Sequence, residues 1–301
     1  MKNFIIVLVV IIILGLGIYL LTRGPSEEVG IVNNQETSTT TPTGEVATST
    51  TNTNATETVV GKSVEGRNIT AYHFGTGSTE LLFVGGIHGG YEWNTVLLAY
   101  EMMDYLKANP SVIPQNIKVT IIPVLNPDGL NKTVGTDTRF AVSSVPTPIS
   151  LTVSGRFNAN NVDLSRNFDC GWKATGVWQN KPVSGGSKAF SEPESLALKN
   201  YVEANKFSAV VTWYSAAGGV YASSCNGPVS AETKAITKKY ADASGYPAND
   251  SFDFYETTGD MVSWLAKVNI PAISVLLTNH TDTEFAKNKL GLEALLKYYT
   301  K

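Results

Sequence analysis

The chain is poor in the residues that most often build compact reactive sites: it has 2 cysteines and 3 histidines in 301 residues. So few cysteines exclude a disulfide-dense scaffold and any Cys-rich metal cluster. A histidine-based site has to be assembled from His73, His88 and His280. Charge is scarce too, at 16% of residues, and neither sign prevails: 23 Lys+Arg stand against 26 Asp+Glu, a formal net charge of −3. Without a basic excess there is no electrostatic case for nucleic acid. Wholesale disorder is excluded as well, because 43% of the residues are hydrophobic.

One long apolar run is present. Phe4 to Leu21 is 18 residues without a charge, flanked by Lys2 and Arg23. That is the lower end of what crosses a bilayer as a helix. A cleavable signal peptide usually has a shorter apolar region and a small-x-small cleavage site, neither of which is seen. A buried core helix is the alternative, disfavoured because the run is apolar all round and sits at the terminus. Residues 1–23 are therefore expected to form one N-terminal membrane anchor, a single pass with the domain on the extracytoplasmic side. Positive charge at the short N-terminal end supports that orientation, and Arg23 runs against it. Residues 24–58 are expected to be a solvated linker, since 13 of the 22 residues from Thr37 to Thr58 are Ser or Thr. Residues 59–301 suffice for a single domain with one substantial core.

Within that domain, apolar strand-like runs alternate with helical periods. Strands are expected at Leu81–Gly86, Ile117–Val124, Phe207–Trp213 and Ala272–Leu277. Helices are expected at Thr95–Lys107, from a Ser191/Glu194 capping box to Ala204, and at Ala231–Ser244, Asp260–Lys267 and Glu284–Tyr299. The alternation implies an α/β fold with a mixed, mostly parallel central sheet flanked by helices. In such sheets, sites form at the carboxyl ends of strands.

The first strand ends in Gly85-Gly86-Ile87-His88-Gly89-Gly90-Tyr91-Glu92, where a His and a Glu just past a strand can turn two donor atoms toward one metal ion. Taken alone, such a pair is a weak signal. Asn126-Pro127-Asp128-Gly129 reads as a turn at the end of the second strand. Arg156-Phe157-Asn158 precedes Val162-Asp163-Leu164-Ser165-Arg166-Asn167-Phe168, and Tyr255-Glu256-Thr257-Thr258-Gly259-Asp260 opens a late helix.

With these motifs in this order, the chain from Gly61 to the C-terminus resembles the zinc carboxypeptidases, the carboxypeptidase A-like metallopeptidases. The resemblance implies that His88 and Glu92 are two of three ligands to one zinc ion. It implies that Arg156 polarises the scissile carbonyl, and that Arg166 grips the terminal carboxylate of a peptide. Ser165 and Asn167 stand beside Arg166, Tyr255 closes over the ligand, and Val262 helps set the specificity pocket. A peptide or cell-wall peptide with a free terminal carboxylate is the implied partner, with the domain acting as a monomer.

Three positions depart from the family pattern. Tyr214 occupies the position of the third zinc ligand, Leu276 that of the general base, and Ser165 that of an Asn. A catalytic zinc generally needs three protein ligands, and a leucine takes no proton, so zinc is expected to be weakly held or absent and hydrolysis impaired. Glu256, Asp260 and Glu284 have no sequence argument placing them at the metal. His280 is either a replacement ligand or part of the turn around Thr278–Thr283. The alternative to a hydrolase is a non-catalytic pseudoenzyme that binds peptide or wall fragments. Cys170 and Cys225 should converge on one edge of the site, as a disulfide or as two buried thiols.

Overall fold

The computed structural model describes residues 56–300. The expected membrane anchor and most of the expected linker lie outside the described residues; among the described ones, no helix is long and apolar enough to cross a membrane. The elements, in chain order, are β1 (Glu57–Lys62), β2 (Asn68–Phe74), β3 (Thr79–Val84), α1 (Trp93–Ala108), β4 (Ile117–Ile122), α2 (Pro127–Val134) and α3 (Ile149–Val153). The hairpin β5 (Thr175–Trp178) and β6 (Lys181–Ser184) follows, then α4 (Pro193–Ala204), β7 (Phe207–Ser215) and β8 (Gly219–Ala222). The chain closes with α5 (Ala231–Ser244), β9 (Ala248–Asn249), α6 (Met261–Lys267), β10 (Ala272–Leu277) and α7 (Phe285–Tyr299).

The main sheet has 8 strands in the order β1-β2-β4-β3-β7-β10-β8-β9. Its centre, β4-β3-β7-β10, is parallel, while β2 runs antiparallel to β4 and β8 antiparallel to β10. Parallel neighbours need crossovers, and these put helices on both faces. Side chains alternate along each strand. Leu82, Val210 and Ala272 therefore pack on one face with Leu198, Tyr201, Trp264 and Leu265 from α4 and α6. Leu81, Phe83, Val211, Trp213 and Ile273 pack on the other with Met102, Ile236, Tyr240 and Leu295 from α1, α5 and α7. The same alternation puts Tyr214 and Leu276 on the α4/α6 face, at the carboxyl ends of β7 and β10. The site forms there.

Two local expectations are corrected. Asn126-Pro127-Asp128-Gly129 is the start of α2 rather than a free turn: Asn126 Oδ1 accepts from Gly129 N at 2.8 Å, and Pro127 takes the first helical position, where its missing N–H is harmless. Ser191 does not cap α4. Glu192 is the N-cap residue and no side chain caps that end. The Ser191 hydroxyl instead donates to Glu192 Oε1 at 2.7 Å and accepts from Asn167 Nδ2 at 3.0 Å.

Candidate active site

His88 and Glu92 are placed by the turn out of β3. Gly86 has φ +61°, and a Cβ there would lie 2.8 Å from Val96 Cγ2, so the turn needs glycine. The turn brings His88 Nδ1 within 2.9 Å of Glu92 Oε1 while His88 Nε2 lies 3.4 Å from Asp163 Oδ1. Asp163, quoted above only as part of a motif, proves to be the centre of the network. Its Oδ2 accepts from Arg156 Nε at 2.9 Å and pairs with Arg156 Nη2 at the same distance. Its Oδ1 accepts from Ser165 N at 3.1 Å and Ser165 Oγ at 2.7 Å. Burial pushes the Asp163 carboxyl up, but Arg156, His88 and Arg166 together outweigh that and hold it well below the usual carboxylate range. A buried carboxylate between two arginines of the sequence was the signal that could have found it.

Arg156 is 2% exposed, and its guanidinium lies over the Trp178 ring at 4.5 Å. Its Nη1 is 3.2 Å from His88 Nδ1 and 4.0 Å from Glu92 Oε1. The guanidinium is thus spent largely on Asp163 and on the face of His88 that looks toward Glu92. Arg166 is held differently. Its Nη1 donates to Ser165 O and Ser165 Oγ, both at 3.0 Å, and Nη2 donates to Val177 O at 3.2 Å. Its Nε has no hydrogen-bond partner among the described residues, although the residue is only 2% exposed. No carboxylate forms an ion pair with it among the described residues. The Tyr255 ring packs 5.7 Å from its guanidinium carbon.

The Arg166 segment is tied to the Tyr255 loop by backbone bonds from Phe168 N to Gly259 O and from Gly259 N to Cys170 O, each 2.8 Å. Cys170 and Cys225 are joined by a disulfide, which links this segment to the end of β8. Between these walls lies a cavity of about 230 Å³. His88, Glu92, Arg156, Ser165, Arg166, Tyr214, Tyr255, Val262 and Leu276 all line it, so the fold brings together most of the residues singled out by sequence. Asp260, which no sequence argument placed here, and Ser274, which was not singled out, line it too.

Asn167 does not line the cavity. Its amide nitrogen donates to Gly185 O at 2.6 Å, and its oxygen accepts from Glu192 N at 3.0 Å, which makes it a loop clamp. His280 does not hold its turn: Asn279 Oδ1 does that, accepting from Thr281 N and Asp282 N at 2.8 Å each. The His280 ring packs instead on Tyr91 at 4.7 Å, and its Nδ1 is buried without a partner.

A family model described as zinc carboxypeptidase matches residues 46–291. The chain belongs to the zinc carboxypeptidase family. Among its curated relatives, carboxypeptidase D of Rattus norvegicus is 27% identical over 161 residues, 49% of this chain and 10% of that protein. The zinc carboxypeptidase of Simulium vittatum is 29% identical over 157 residues, 49% of each chain. The matched part of this zinc carboxypeptidase domain therefore spans about half, or much less, of these relatives' own length. Among solved structures, carboxypeptidase A from Helicoverpa armigera has a TM-score of 0.64 at 20% identity, covering 82% of this chain and 69% of that one. Murein-tripeptide amidase MpaA from Escherichia coli O157 has a TM-score of 0.58 at 21% identity, covering 82% and 94%. At these identities the structures show a shared fold.

Membership of the family implies zinc. The donor set of this chain does not fit a three-ligand catalytic zinc centre. His88 and Glu92 are adjacent, but the position that the resemblance assigns to the third ligand holds Tyr214, a phenol. Burial pushes the Tyr214 hydroxyl well above its ordinary value, reinforced by Asp260 and Glu92, which disfavours the phenolate that a metal would need. Among the described residues no group of at least 3 His, Cys, Asp or Glu side chains is arranged to hold a metal ion.

Proposed function

We propose that this domain captures peptides by their free C-terminal carboxylate at Arg166 and has lost the zinc-dependent hydrolysis of its family. One observation carries the reading: Arg166 is buried on the cavity wall with Nε unpartnered and no carboxylate paired to it among the described residues. A buried guanidinium without an anion is costly. A ligand carboxylate meets the planar fork and makes the direct ion pair that Asp163 and Asp260, which act on Arg166 at longer range, do not. Tyr255, half-buried beside Arg166, covers it.

Loss of turnover follows from Leu276 and Tyr214. The first takes no proton from water, and the second is a protonated phenol where a ligand is needed. The expected place of action is outside the cytoplasm, with the domain monomeric and tethered to the membrane by Phe4–Leu21. A disulfide between Cys170 and Cys225 suits an oxidising compartment. The likeness to a murein-tripeptide amidase makes cell-wall peptides the first ligands to try.

The test is incubation of the full-length protein with free-carboxylate peptides, read by mass spectrometry. The expected result is retention of every C-terminal residue, with the protein recovered in the membrane fraction. Release of C-terminal residues at ordinary enzyme rates, stopped by a chelator, overturns the reading.

A further inference from the structure

Tyr214 is 8% exposed, lines the cavity, and its hydroxyl has no hydrogen-bond partner among the described residues. Its ring packs 5.5 Å from the His88 ring. The same cavity wall carries the unpartnered Arg166 Nε and the unpartnered Glu92 Oε2. A buried hydroxyl with nothing to bond is an expensive feature for a core and a useful one for a binding site. If the position had merely drifted from metal ligand to filler, phenylalanine would fill it as well without that cost.

His88 Nε2 and Arg156 Nη2 on this wall also lack hydrogen-bond partners, but both face Asp163; the other three atoms match the end of a peptide. Arg166 Nε suits the terminal carboxylate. Glu92 Oε2, an acceptor, suits the last peptide N–H. A donor is then required for the carbonyl oxygen of the same peptide bond. Arg156 is turned toward other groups: its Nε donates to Asp163 Oδ2 at 2.9 Å, Nη2 is ion-paired with the same oxygen without a hydrogen bond, and Nη1 is 3.2 Å from His88 Nδ1. Tyr214 has a hydroxyl free to donate.

We propose that Tyr214 is a ligand-binding residue whose hydroxyl donates a hydrogen bond to the carbonyl oxygen of the ligand's last peptide bond. It stands where a metal ligand stands in the family and polarises nothing; it holds the peptide. This rests on the carboxylate-capture reading above, because Arg166 sets which peptide bond arrives beside Tyr214.

The experiment is a double comparison on the full-length protein. Wild type and Tyr214→Phe are titrated with a free-carboxylate peptide, with its C-terminal amide, and with an analogue whose last peptide bond is a trans-alkene. Tyr214→Phe is expected to weaken the natural peptide roughly 3- to 10-fold, the usual worth of one neutral hydrogen bond. It should leave the alkene analogue unchanged, since that ligand has no carbonyl to lose. The variant should also unfold at no lower temperature than wild type, because the hydroxyl bonds to nothing in the free protein. Equal binding of the natural peptide by both proteins overturns the proposal, as does equal weakening of peptide and alkene or a loss of thermal stability. If the amide binds as well as the acid in wild type, it is the carboxylate-capture reading that fails.

Discussion

Tyr214 and Leu276 are register partners across the parallel β7–β10 pair. Both face the cavity, so the two positions that the resemblance assigns to the third ligand and the general base are a single neighbouring pair at the carboxyl ends of adjacent strands. Repair of one position therefore leaves the other defect beside it.

For metal, the purified full-length protein should hold well under one zinc per chain by elemental analysis. Tyr214→His should raise zinc content toward one, Leu276→Glu alone should not, and only the double variant should hydrolyse peptides. A general base typically supplies about 10²- to 10⁴-fold in rate, so Tyr214→His alone should bind metal and stay slow. One tightly held zinc in the unaltered protein would sink the argument from the donor set.

For stability, Asp163→Asn should cost about 3–5 kcal/mol in urea unfolding, because it leaves Arg156 buried opposite a neutral group. The two side chains are 2% and 0% exposed. The ion pair between Lys267 and Asp169, at 47% and 52% exposure, is the control, and Asp169→Asn should cost less than about 1 kcal/mol. Equal effects of the two substitutions would remove Asp163 from the centre of the network.

A pH dependence follows from His73, whose ring nitrogens lie 2.9 Å from Thr58 Oγ1 and 2.9 Å from Thr120 Oγ1. Burial pushes this imidazole below its ordinary value, Lys118 adds to the shift, and Glu80 partly offsets it. The unfolded chain then takes up the proton near pH 6.5, where the folded chain still resists it. Stability from neutral His73 is full above that pH and falls as pH drops below it, until the folded-state value is passed. His280, also pushed down by burial, acts in the same direction. Urea melts at pH 7.5 and 5.5 should show a smaller loss for His73→Gln than for wild type. Matching losses would contradict this.

The sequence reads well where burial is two-sided. Ala231–Ser244 and Ala272–Leu277 are found at the expected bounds, because α5 has a capped, periodic pattern and β10 is a continuous apolar run. β1 and β2 were not foreseen: they are edge strands, partly exposed, and β1 emerges directly from the Thr-rich stretch. The β5–β6 hairpin is masked by Gly176 and Pro182. At the site, motifs identified about half of the residues that line the cavity but not how their charges pair. Asp163, Asp260 and the orphaned hydroxyl of Tyr214 depend on which strand ends meet, and a linear pattern does not carry that.

The central claim is that a peptide carboxylate is the missing partner of Arg166. Calorimetric titration of a free-carboxylate peptide and its amidated twin, against the full-length protein and its Arg166→Ala variant, tests it directly. Losing a charged hydrogen-bond partner costs about 1.5–3 kcal/mol, roughly 10- to 150-fold in Kd. The acid should bind wild type more tightly than the amide by about that factor, and Arg166→Ala should bind both equally weakly. Equal binding of acid and amide by the wild-type protein, or an Arg166→Ala variant that still prefers the acid, would contradict the account.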